Sequence, residues 1–205
     1  LHLYKKGWGN PRASYKMMLG RNVIRGITVF RLVNAMGRGM VATFLPLFAS
    51  QHLQLSGGQI GLLISANILL TSVLQAPFGK LADKMSRLKL IVFGGCTASL
   101  TILLIPYTAD FNQLLVLNIA MGFAGAVSLP ATSALAVEEG RDMGMGSVMG
   151  IFDMAMSVGL TSGPLMGGLL MDSLGLESIF IFGGGIGFMA VGLFVWLLAP
   201  ASCNR

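Results

Sequence analysis

Six long apolar stretches separated by short polar breaks set the rhythm of this chain, at about residues 27–53, 59–78, 89–106, 112–137, 145–171 and 179–199. A helix rises about 1.5 Å per residue and bilayer hydrocarbon is about 30 Å thick, so about 20 apolar residues cross it. Each window approaches or exceeds that length, and the fourth and fifth have enough surplus to tilt or project. The breaks carry turn formers: Gly57-Gly58, Thr108-Ala109-Asp110 and Ser173-Leu174-Gly175. No stretch shows the strand alternation of a barrel, and irregular backbone is not tolerated against lipid. The pattern predicts an all-α integral membrane protein with six transmembrane helices over 27–199. A basic leader or interdomain linker over 1–26 precedes them, and a short tail over 200–205 follows.

Composition agrees. Hydrophobic residues make up 54% of the chain and charged residues only 11%, where a soluble domain is nearer a quarter charged. The 28 glycines suggest helices that approach closely, backbone to backbone. Cys96 and Cys203 offer no disulfide or metal framework and read as inert side chains. His2 and His52 have no partner at metal-ligand spacing, so no cofactor or metal is expected. No cleavable signal is visible in the basic, polar first 26 residues.

Charge sets the orientation. Lys5, Lys6, Arg12, Lys16, Arg21, Arg25 and Arg31 precede or open the first span. Lys80, Lys84, Arg87 and Lys89 follow the second, Arg141 the fourth, and Arg205 ends the tail. The opposite connections hold only Asp110, Asp172 and Glu177. The positive-inside rule therefore puts both termini in the cytoplasm of a cell (plasma or inner) membrane protein. The formal net charge of +6 is explained by this topology, and no nucleic-acid module accompanies it. The leader reads equally as a segment lying on the anionic leaflet or as a solvated linker.

Arg38 and Asp153 break the pattern, because both fall inside apolar windows. An intramembrane charge costs about 2.5–3.5 kcal/mol even on insertion scales, so each is expected to face protein or water. Arg31, Asn34 and Arg38 recur at i, i+3 and i+7 and form one polar stripe. Two readings of Arg38 and Asp153 stand side by side: a buried pair that fixes packing, or groups that bind an anionic substrate or carry a proton. Snorkelling is a third. Asn67 and Gln75 read as interhelical hydrogen-bond donors.

Two motifs carry a resemblance. Gly79-Lys80-Leu81-Ala82-Asp83-Lys84-Met85-Ser86-Arg87 resembles the signature loop G-x-L-A-D-[RK]-x-G-[RK]-[RK] of the major facilitator superfamily, with Ser86 replacing a glycine and Leu88 interrupting the basic pair. Gly159-x-x-x-Gly163-Pro164-x-x-Gly167-Gly168 fits a second pattern of that family, G-x-x-x-G-P-x-x-G-G, associated with antiporters. The resemblance implies one six-helix half built from two three-helix inverted repeats. It implies a conformational latch at Gly79, Leu81, Asp83 and Arg87, and a pliable glycine stripe at Gly159, Gly163, Pro164, Gly167 and Gly168. The first and fourth helices of such a half line a cavity. Asn34, Arg38, Asn118 and Asp153 thereby become the substrate-binding or coupling candidates, with Ser128 and Thr132 behind them.

The implied function is secondary transport of a small organic solute by alternating access, coupled to protons. The implied partners are the lipid bilayer, the solute, protons and a second six-helix half in the same or another chain. The basic leader, the short tail and the absence of an initiating methionine favour the C-terminal half of a longer protein. A non-transporting scaffold or receptor of the same fold is the main competitor. A membrane-embedded enzyme would need convergent catalytic groups, and none is seen.

Overall fold

The computed structural model describes residues 22–202; most of the expected leader, with His2, Cys203 and Arg205, lies outside the described residues. Six helices follow one another: α1 (Asn22–Gln51), α2 (Gly57–Lys84), α3 (Arg87–Leu104), α4 (Phe111–Met143), α5 (Met145–Leu174) and α6 (Leu176–Ser202). All six are long and apolar enough to cross a membrane. A 3₁₀ turn over Ile105–Tyr107 finishes the third crossing, and no strand occurs among the described residues.

Local chemistry sets the ends. At the start of α2, the Gln59 N–H donates to the Ser56 hydroxyl at 3.4 Å, and the Ser56 N–H donates to Gln59 Oε1 at 2.9 Å. This reciprocal capping box satisfies two otherwise orphaned donors. Gly144 ends α4 at φ +101°, a backbone conformation that side chains with a Cβ strongly disfavour.

Several helices outrun their apolar windows, and at the ends of α2 and α4 the overrun carries charged residues. Gly79–Lys84 form the last turns of α2, so only Met85 and Ser86 connect it to α3. Glu138, Glu139, Arg141 and Asp142 likewise belong to α4 rather than to a loop. Hydropathy ends where charge begins, but Leu, Ala, Glu and Lys continue a helix readily.

Packing is not sequential. The main contacts are α1 with α5 and α6, α4 with α2 and α3, and α3 with α6. Exchanging α1, α2 and α3 for α4, α5 and α6 maps this set onto itself. With three helices per unit the chain direction reverses, which gives the two inverted repeats. Two apolar clusters stack along the bundle. One, around Phe30, Ile91 and Phe194, lies toward the end carrying Lys80–Lys89. The other, around Phe48, Leu63, Leu114 and Phe180, lies toward the opposite end. Within them Phe30 and Phe194 meet at 5.4 Å and Phe48 and Phe180 edge to face at 5.5 Å. By contrast, α2 and α5 leave apolar faces uncovered, including Ile68, Leu69 and Val73 on α2 and Val158, Leu165 and Leu169 on α5.

Candidate transport cavity

A polar layer separates the two apolar clusters. Asn34, Arg38, Asn67, Thr71, Ser99 and Ser128 line a cavity of about 60 Å³ there, drawn from α1, α2, α3 and α4. That volume admits a few waters. Asn67 Nδ2 donates to the Asn118 carbonyl at 2.7 Å, and Thr71 Oγ1 donates to the Gly122 carbonyl at 3.1 Å, clamping α2 to α4. The expected interhelical role of Asn67 is therefore met. Gln75 differs: it is exposed and lines a second, open cavity of about 650 Å³. Arg31, Arg38, Ser72, Ser133 and Met156 share that lining. Arg38 borders both spaces.

Arg31 and Arg38 have different surroundings. The Arg31 guanidinium stacks 4.4 Å from the centre of the Phe152 ring, and Nη2 points at Met156 Sδ, 3.0 Å away. Its Nε is buried without a hydrogen-bond partner. Arg38 is exposed and makes neither a hydrogen bond nor an ion pair among the described residues.

The buried Arg38–Asp153 pair is not formed. Both residues are exposed, and no ion pair joins them. Arg38 and Asp153 both lie within electrostatic range of Arg31. Depth explains the difference. Arg31 and Asp153 each lie eight residues beyond the start of their spans, Val23 and Met145, or about 12 Å. Arg38 is fifteen residues beyond Val23, or roughly 22 Å, near the midplane. The apolar window from about residue 27 places Arg31 at a helix edge, whereas α1 begins at Asn22 and carries it about two turns inside. The signal that finds it is the parallel course of α1 and α5.

The remaining candidates are distributed as follows. Asn34 lines the enclosed cavity. Asn118 is buried and donates back to the Leu114 carbonyl at 3.0 Å, so its amide is held within its own helix. Ser128 lines the enclosed cavity, and the Thr132 hydroxyl donates to the Ser128 carbonyl. In the loop motif, Arg87 is paired with Glu138, joining the start of α3 to the end of α4. Asp83 is exposed and bonds to no other side chain among the described residues, Leu81 is half-buried, and a Cβ at Gly79 would meet Pro130 at an ordinary 4.0 Å.

The glycine stripe divides. Gly159, Gly163 and Gly167 press against α1, where a Cβ would collide with the Leu32 carbonyl, the Met36 carbonyl and the Phe44 ring respectively. Gly39 on α1 answers them, since a Cβ there would come within 2.8 Å of the Leu160 carbonyl and 3.1 Å of Pro164. Pro164 lacks the N–H that would bond Leu160, so close approach occurs at a break in the helix ladder. Gly168 faces open space.

The sequence profile described as Major Facilitator Superfamily matches residues 27–202. The chain belongs to the major facilitator superfamily. It is 29% identical over 164 residues to an uncharacterized MFS-type transporter of Methanocaldococcus jannaschii, covering 80% of this chain and 42% of that protein. It is 29% identical over 163 residues to a multi-drug resistance efflux pump PmrA homolog of Lactococcus lactis, covering 78% and 40%. It is 28% identical over 152 residues to the multidrug resistance protein MdtG of Serratia proteamaculans, covering 72% and 36%. The chain thus spans about two fifths of the length of the curated relatives it matches. The family and the names of these relatives are those of membrane transporters, not enzymes. In this facilitator half the inverted repeats set α1 and α4 face to face across the polar layer.

Proposed function

We propose that the chain is one six-helix half of a proton-coupled secondary transporter that moves a small organic solute by alternating access. The observation that carries this reading is the open cavity bounded by Arg31, Arg38, Gln75 and Ser133, a polar concavity in an otherwise apolar bundle. Its lining comes from the halves of the helices nearer the basic end, which the positive-inside rule assigns to the cytoplasm together with both termini. A second six-helix half covers the exposed faces of α2 and α5 and completes the site. The two halves then rock about that centre, as the repeat architecture allows.

Within this scheme Arg38 contacts the solute, Asn34 supports it from the small polar cavity that Arg38 also borders, and Asp153 carries the coupling proton close to Arg31. Asn118 supports the site from α4 through its backbone carbonyl, the acceptor of the Asn67 amide. The loop motif latches the inner end: the Arg87–Glu138 pair holds one state, and Asp83 is free to engage the opposing half. Gly159, Gly163 and Gly167, with Pro164, let α5 move along α1 without separating from it, and Gly168 faces the opposing half.

The test is flux in proteoliposomes holding the full-length transporter, with solute loaded on one side and a proton gradient imposed. Solute movement that collapses with a protonophore, and falls sharply in Asp153→Asn, supports the proposal. Solute binding with no flux under any gradient supports the receptor reading instead.

A further inference from the structure

The two arginines of α1 give the cavity a chemical preference that the reading above leaves open. A guanidinium stays charged at any physiological pH, whatever its surroundings. Arg31 meets an aromatic face and a thioether sulfur, both neutral, and Asp153 is the acid within its electrostatic range. Arg38 has no carboxylate within ion-pair distance among the described residues, and no acid lines the open cavity. Arg31 and Asp153, at matching depth, offset one another in charge, which leaves the positive charge of Arg38 near the midplane without an acid among the described residues.

A charge at that depth costs several kcal/mol unless something compensates it. Water does so in part. A bound anion does so better, because a guanidinium fork donates two parallel N–H bonds to the oxygens of a carboxylate, sulfonate or phosphate. The lining supplies the other elements of such a site: hydroxyl and amide donors at Ser72, Gln75 and Ser133, and apolar surface at Leu129, Pro130 and Met156. Its volume of about 650 Å³ suits an organic solute rather than an inorganic ion alone.

We infer that the solute is an organic anion whose acidic group docks on Arg38, with its apolar body lying between Pro130 and Met156. This inference rests on the transport reading for its site but is testable apart from it. One skeleton carrying three charges isolates the effect: 1-naphthoate, 1-naphthylmethanol and 1-naphthylmethylammonium, added to the full-length transporter in neutral detergent. Thermal unfolding reports binding.

The expected result is stabilisation by naphthoate and little by the other two. Arg38→Gln should weaken apparent naphthoate affinity about tenfold, the loss of one charge-assisted contact, and Arg38→Lys should restore part of it. Because Arg38 is exposed, both variants are expected to elute as the wild type on gel filtration. A preference for the ammonium or the alcohol overturns the inference. So does the absence of any shift, or naphthoate stabilisation that survives Arg38→Gln. Stabilisation by phosphatidylglycerol without any by naphthoate also overturns it, since the anion is then a lipid headgroup. Flux separates the two readings. Movement of the ammonium but not of naphthoate leaves transport standing and removes the anion site. Naphthoate binding through Arg38 without flux does the reverse.

Discussion

Gly163 and Gly168 are five residues apart on α5 and have opposite surroundings. The first presses on the Met36 carbonyl, and the second meets nothing within 4 Å. Gly163→Ala therefore forces backbone apart and is expected to cost about 1–3 kcal/mol, the range for overpacking. Gly168→Ala adds a good helix former in open space and is expected to be neutral or stabilising by up to about 1 kcal/mol in the isolated chain. Thermal unfolding of the two variants side by side checks this, and equal losses would mean that the α1–α5 contact is misassigned. The glycine pattern itself was legible from the four-residue spacing, but which glycines face a neighbour was not. Likewise Asn67 was readable as an interhelical donor, whereas Gln75 carries the same chemistry and opens to the cavity. Nothing in one strand of sequence distinguishes a polar group facing α4 from one facing an unfilled space.

The junction of α2, α3 and α4 shows why helix ends were harder to read than helix cores. Apolar windows located all six crossings, because about 20 consecutive apolar residues have few alternative fates. They stopped short at Phe78 and Val137, where charge begins, although the helices continue to Lys84 and Met143. The extension carries Glu138 to Arg87, an ion pair with side chains 29% and 49% exposed for the arginine and the glutamate. A double-mutant cycle of Arg87→Gln and Glu138→Gln should give a coupling of about 0–1 kcal/mol, as for other solvent-accessible pairs. A coupling several times larger would make this pair a structural anchor rather than a releasable latch. Gly144, at φ +101°, is the sole residue between α4 and α5. Gly144→Ala is expected to destabilise by about 1–3 kcal/mol through backbone strain, read by the same melting experiment.

Across the bundle, the inverted exchange of two triplets explains the cavity's position. It makes α1 and α4 equivalent helices crossing at the centre, and it leaves α2 and α5 as the outermost elements on the open side. That arrangement was inferred from two motifs, since no hydropathy pattern encodes which helices touch. The contact set then follows from small residues: Gly159 and Gly163 seat α5 on α1, and Gly122 seats α4 on α2, where a Cβ would come within 3.0 Å of the Asn67 carbonyl. Arg31 meets Phe152 and Met156 of α5 for the same reason.

Six crossings with every cationic connection on one side fix where the cavity and its arginines lie. In a background of Cys96→Ser and Cys203→Ser, single cysteines at Lys84 and Ser173 place the two ends of the bundle on opposite faces of the membrane. With a membrane-impermeant maleimide on intact cells, position 173 should label and position 84 should label only after permeabilisation. Labelling of position 84 in intact cells, or equal labelling of both, would contradict the topology on which the cavity and its arginines depend.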